Sequence, residues 1–151
     1  MTDTDRNSGV LVRETGAGRF AQEIVSGRHV LAADEPIAVG GSDAGPGPYE
    51  YLLAALGACT SMTIRMYAQR KDWPLARVSV RLRHAKIHAE DCAECETKVG
   101  LVDMIERDIA LEGDLSAEQR AKLREIADKC PVHRTLTSEI SIKTRAVEAA
   151  G

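Results

Sequence analysis

A chain of 151 residues with 44% hydrophobic and 28% charged side chains is long enough to bury a core without staples and too apolar to be disordered. Its net charge of −3, with no arginine-rich block or aromatic-interleaved basic stripe, argues against nucleic acid as a partner. No charged-plus-apolar leader opens the sequence, and its longest apolar stretch (52–68) is interrupted by Thr, Ser and Arg65. The expectation is therefore a cytoplasmic protein with no membrane association, in which the four cysteines serve as ligands, nucleophiles or small core residues.

The elements follow in chain order. Residues 1–9 are polar and expected to form a flexible N-terminus, ahead of a single domain over 10–151. "VLVRE" (10–14) has weak strand character, and "FAQEIV" (20–25) and "RHVLAADE" (28–35), joined by Ser26-Gly27, read as a hairpin. "VGGSDAGPGP" (39–48) holds four glycines and two prolines and is a loop. It lacks the spacing of a dinucleotide fingerprint and the Lys-Ser/Thr of a P-loop, and reads as the lip of a pocket. From Tyr49 to about Arg70 runs a helix that is apolar nearly all round as far as Met62, hence a buried central helix, with Pro48 suited to its first turn and Gly57 opening space for close packing.

Beyond "KDWP" the period changes. Val78, Val80 and Leu82 alternate with polar residues as a half-solvated strand, 88–97 connects, and Ile105, Ile109 and Leu111 suggest a returning strand. Ser116 and Gln119 form a capping box, after which Leu123, Ile126, Ala127 and Cys130 share one face of a helix that Pro131 ends. "SEISIKTR" (138–145) alternates as a last strand. The fold class is α+β, with antiparallel strands, one long buried helix and a second amphipathic one.

Two cysteine groups carry possible chemistry. Cys59 and Cys130 suit two readings: small buried hydrophobes, or a nucleophilic and a resolving thiol, one forming a sulfenic acid and the other condensing with it. The second needs a cation to hold a thiolate, and Arg19, Arg65, His133 and Arg134 are available. Periodicity does not bring residues 59 and 130 together, so both readings stay open. The other group, His84, His88, Cys92 and Cys95, has the donor types of a structural zinc site. On an extended strand, however, the two histidines sit about 13 Å apart. Acidic neighbours at Glu90, Asp91, Glu94 and Glu96 also raise thiol pKa values and blunt redox use of the Cys-x-x-Cys pair. The expectation is no metal and no cofactor, with solvated loop residues at 92 and 95.

The run "GGSDAGPGPYEYLLAALGACTSMTIRMYAQRK", followed by "KCPVHRTL", resembles the OsmC/Ohr family of osmotically inducible and organic-hydroperoxide-resistance proteins. "DCAECE" and "CPVHRTL" together point to its OsmC-like subgroup, and the likeness covers about residues 10–145. The resemblance implies an OsmC-like fold forming an intertwined homodimer, and thiol-dependent reduction of small organic hydroperoxides by an external thiol reductant. It implies Cys59 as the peroxidatic and Cys130 as the resolving cysteine, with Arg19 as the best match to the family's arginine. The family's glutamate directly follows the proline of an Asn-Pro-Glu segment. Here Tyr49 follows Pro48 and Glu50 comes one place later, a rotation of about 100° on a helix. Glu50 is thus either the catalytic carboxylate or a first-turn charge stabilising the helix N-terminus. The displaced glutamate motivates an alternative function: a non-enzymatic protein of the same fold that binds a small apolar ligand.

Overall fold

The structure, a computed structural model, describes residues 9–149. The expected flexible N-terminus lies, apart from Gly9, outside the described residues. The chain forms two compact units that divide between Ala54 and Ala55.

In the N-terminal unit, three short strands make an antiparallel sheet in the order β1 (Leu11–Glu14), β2 (Gln22–Ser26), β3 (His29–Ala33). The expected hairpin closes where Ser26 pairs with His29. Gly27, at φ 57°, opens the two-residue turn, a backbone position where a side chain is costly. The glycine-rich loop that follows is tied down by one buried carboxylate. Asp34, 3% exposed, accepts hydrogen bonds from the backbone N–H groups of Glu35, Ser42 and Ala44. Burial pushes its pKa up, but those three donors together hold it below its usual value. The loop leads into α1 (Pro48–Arg70), with proline in the first turn.

In the C-terminal unit, α1 buries a stripe made of Leu56, Gly57, Thr60, Ile64 and Ala68, a four-residue repeat that keeps to one face. Expected burial all round the early helix does not hold: Leu52 and Met62 are exposed, since none of the described residues covers them, while beyond Met62 the helix surfaces and Met66 is exposed. Two long strands, β4 (Leu75–His88) and β5 (Leu101–Gly113), pair as an antiparallel hairpin. Each is longer than its apolar residues alone suggest. Its outer row is charged, with ion pairs such as Arg83 to Glu106 and Asp108. The core joins Ile64 and Ala68 of α1 to Leu75, Leu115 and Leu123, with Val78, Ile109 and Leu111 packed against it.

The capping box forms as expected at the start of α2 (Ala117–Ala127), with the Ser116 side chain and Gln119 exchanging hydrogen bonds. Its C-terminal end differs from expectation. The helix stops at Ala127, and Cys130 is the N-cap of a separate short helix, α3 (Pro131–Leu136). Pro131 explains this, since it has no N–H to continue α2 but suits the first position of a new helix. The strand expected at 138–145 is absent: residues 139–149 are neither helix nor strand, and Ile140 and Ile142 are exposed. A strand needs a neighbour for its backbone groups, and this segment has none among the described residues. Among the described residues, no helix is long and apolar enough to cross a membrane.

Candidate active site

The fold brings together the two cysteines that sequence periodicity leaves apart. Cys59 lies half-buried on α1, and Cys130 is fully buried at the turn between α2 and α3. Both are free thiols. Cys130 Sγ accepts from the backbone N–H of His133 at 3.3 Å, the N-cap bond of α3 made by sulfur. The Thr60 hydroxyl faces the same sulfur at 3.9 Å and donates to Leu56 O at 2.7 Å. Burial pushes the Cys130 thiol up. Against it act the N–H of His133, the Cys59 thiol, the Thr60 hydroxyl and the N–H of Val132, and the net value lies below that of an ordinary cysteine.

The cation beside this group is one that the sequence reading missed. Arg107 of β5, its side chain 12% exposed, donates to Thr60 Oγ1 at 2.8 Å and to Asp128 Oδ1 at 2.8 Å. It also reaches Ala127 O at 3.4 Å and His133 Nδ1 at 3.3 Å. A guanidinium has no acceptor, so His133 Nδ1 must offer its lone pair and the ring carries its proton on Nε2. The expected role of His133 thus passes from its ring to its backbone N–H. Within this unit, the other cations named from sequence, Arg65 and Arg134, have no hydrogen bond to either thiol. Arg65 donates to Leu75 O and Ala76 O, and Arg134 is exposed.

A signal for Arg107 does exist in the sequence. On β5, residues 105, 107, 109 and 111 share one face, so an arginine stands in the row of Ile105, Ile109 and Leu111. Charge at an inward position wants a reason. Its strand partner is Leu82, and a Cβ on Gly57 would lie 2.7 Å from that Leu82 side chain. The missing side chain at 57 lets α1 sit close to the hairpin, and Thr60 is one helical turn further on.

A cavity of about 340 Å³ opens beside the arginine, lined by Leu56, Ile105 and Leu136 and by the polar Asp103, Arg107, His133 and Thr137. A larger groove of about 640 Å³ runs between α1 and α2, with Met66, Tyr67, Arg70 and Ile126 on its walls.

Arg19 and Glu50 belong to the N-terminal unit. Arg19 is exposed, its guanidinium 5.0 Å from the centre of the Phe20 ring. Glu50 accepts from the Gly47 N–H at 2.8 Å, a bond that returns to the residue before the helix and stabilises its first turn. It borders a loop cavity of about 230 Å³ with Glu35, Asp43 and Tyr49.

The zinc candidates are distributed differently. Cys92 and Cys95 are joined in a disulfide in the connection between β4 and β5, so the expectation of two free loop cysteines is corrected. Three residues apart in a tight turn, their Cα atoms are 5.4 Å apart, within bonding range. His84 Nε2 lies 2.8 Å from Asp103 across the hairpin, and Lys86 binds the same carboxylate, holding Asp103 below its usual pKa. Among the described residues, no three His, Cys, Asp or Glu side chains are gathered for a metal ion.

The architecture is shared with solved structures. An OsmC-like protein of Mycoplasma pneumoniae superposes with a TM-score of 0.64 at 18% identity, covering 84% of each chain. An organic hydroperoxide resistance protein of Legionella pneumophila gives 0.60 at 20% identity, over 85% of this chain and 88% of that one. The organic hydroperoxide resistance protein of Bacillus subtilis gives 0.57 at 19% identity, over 89% and 93%. No curated protein matches the sequence. The OsmC-like family model matches residues 40–145, the span from the glycine-rich loop through both free cysteines, and the chain belongs to that family.

Proposed function

We propose that the protein is a thiol-dependent peroxidase for small organic hydroperoxides. The observation that carries this reading is the meeting of Cys59 and Cys130, distant in sequence, around a sulfur supplied with hydrogen-bond donors. In the cycle, the Cys59 thiolate attacks the terminal peroxide oxygen, the O–O bond breaks, and the alkoxide leaves as the alcohol after taking a proton. Cys59 is then a sulfenic acid. Cys130 attacks its sulfur, the S–O bond breaks, and water and a Cys59–Cys130 disulfide result. An external thiol restores both cysteines. Similar proteins named for organic hydroperoxide resistance support the substrate class, and the apolar walls of Leu56, Ile105 and Leu136 suit an alkyl group. Arg19 and Glu50 are assigned to peroxide activation by resemblance.

The functional unit is a homodimer. Met62 and Met66 are exposed on α1, and the alternating segment at 138–145 has no strand to pair with among the described residues of its own chain. A second copy supplies cover for the first and a sheet edge for the second. Sedimentation at micromolar concentration should give twice the chain mass; a monomer would oppose the dimer.

A second reading has one observation in its favour. Glu50 is engaged with Gly47 N–H as a helix-stabilising group, which suits a pocket protein that binds a small apolar ligand without turnover. Stopped-flow mixing with an organic hydroperoxide separates the two. The peroxidase consumes the Cys59 thiol far faster than free cysteine reacts. A rate no faster than free cysteine would leave the ligand-binding protein.

A further inference from the structure

We propose that Arg107 is the positioning residue of the resolving cysteine: by holding Thr60, the end of α2 and the His133 ring at once, it fixes the Cys130 sulfur beside Cys59 for disulfide closure and reopening. The inference rests on the peroxidase reading above and names a residue that reading does not use.

One guanidinium binds groups from three elements. On α1 it donates to Thr60 Oγ1; on the α2 end it binds Ala127 O and Asp128; on α3 it meets His133. Cys130 lies between the last two. The turn at 128–130 has backbone bonds of its own, back to Glu125, Ile126 and Ala127, and the His133 N–H holds the sulfur from the α3 side; the arginine adds the tie from this turn to α1 and β5.

The contact with Thr60 also sets the direction of a proton. A hydroxyl has one hydrogen, and Arg107 occupies an oxygen lone pair. The Thr60 hydrogen is therefore left to two acceptors, Leu56 O at 2.7 Å and Cys130 Sγ at 3.9 Å. Against a neutral thiol the carbonyl wins by distance. Against a thiolate, charge strengthens the bond to sulfur, and a small rotation of the hydroxyl follows it. The guanidinium polarises the same hydroxyl.

Both half-reactions use this arrangement. In closure, Cys130 forms the S–S bond with Cys59, the sulfenic oxygen leaves, and it ends as water carrying the Cys130 proton. In reopening, an external thiolate reaches the half-buried Cys59 sulfur, the S–S bond breaks, and Cys130 departs as a thiolate. A second external thiol then displaces the mixed disulfide, so the reductant ends as its own disulfide and Cys59 as a thiol. A leaving thiolate that is well supplied with donors leaves faster.

The test begins with a measurement independent of peroxide. With Cys92–Cys95 kept oxidised, thiolate ultraviolet absorbance is titrated in Cys59→Ser and, for subtraction, in Cys59→Ser/Cys130→Ser. The groups against Cys130 in this background are the N–H of His133, the Thr60 hydroxyl and the N–H of Val132, together with the hydroxyl introduced at position 59; Arg107 and its partner Asp128 stand behind Thr60 and His133. Adding Arg107→Gln should move the Cys130 midpoint upward by about one pH unit, a tenfold loss of thiolate at neutral pH. Arg107→Lys should recover part of it, since an ammonium keeps the charge but not the fork. Thr60→Val, which keeps Arg107 on Asp128, should also raise the midpoint and serves if Arg107→Gln does not fold. In the otherwise wild-type chain, Arg107→Gln should slow disulfide closure about tenfold, measured from the Cys59 sulfenic acid once it has formed. An unchanged midpoint in both the Arg107→Gln and Thr60→Val variants, with only the melting temperature lowered, overturns the proposal. Absent peroxide turnover with a shifted midpoint would instead strike the peroxidase reading alone.

Discussion

The two cysteine pairs of this chain sit in opposite environments. Cys92 and Cys95 are three residues apart, already bonded, and surrounded by Glu90, Asp91, Glu94 and Glu96 on an exposed connection. Cys59 and Cys130 come from different elements, remain free, and meet beside N–H and O–H donors with a cation behind them. Acidic neighbours oppose thiolate formation, whereas directed donors favour it. Proximity along the chain thus made the bond, and proximity in space made the meeting of the two free thiols. The difference separates a local staple from a pair of free thiols that the fold itself assembles.

The comparison breaks most directly at Cys59. Cys59→Ser should lower peroxide consumption by at least about a thousandfold, the scale of deleting a nucleophile, as read by loss of an organic hydroperoxide. Cys130→Ser should act differently: the first oxidation stays within a few-fold, no intramolecular disulfide forms, and a mass gain of one oxygen accumulates. If Cys130→Ser slows that first step as much as Cys59→Ser does, the roles of the two cysteines must be exchanged.

The acidic pair should matter far less. Replacing both Cys92 and Cys95 with serine should leave turnover within about twofold. Closing so short a loop is worth about 2 kcal/mol in the chain-entropy model, so the cost should show as a modest fall in melting temperature. A collapse of turnover in that variant would place redox work at the hairpin tip.

The smallest expected effect is on pH dependence. A cysteine of folded pKa below its unfolded value, about 8.5, binds fewer protons folded than unfolded in the window between the two. The Cys130 thiolate therefore contributes its full stability above about pH 8.5 and loses it as pH falls through the folded value. Under reducing conditions, the stability difference between the parent and Cys130→Ser should shrink as pH drops through that window. A difference that grows on acidification contradicts the lowered pKa.

What was legible in the sequence was local. Gly27 in its turn, the Ser116–Gln119 capping box and the alternating strands around 78–82 and 105–111 each depend on neighbours close along the chain, and each formed. The extra helix after Cys130 was half-legible, because Pro131 announces a stop and a start with the same chemistry. Two features escaped. The strand at 138–145 has the right alternation, but alternation does not supply a neighbouring strand. Arg107 was hidden among the charges of an amphipathic hairpin, and only its place in the inward row marks it. Joining Cys59 to Cys130 likewise needed the family motifs, since no local period links α1 to the α2–α3 turn.

One measurement bears on the peroxidase account as a whole. The reduced Cys59 and Cys130 chain, with Cys92–Cys95 intact, is treated with one equivalent of organic hydroperoxide and its intact mass and peptide map are read. The account predicts a loss of two hydrogens, mapped to a bond between the peptides carrying Cys59 and Cys130. An unchanged mass, or oxidation that leaves both of those thiols free, would contradict it.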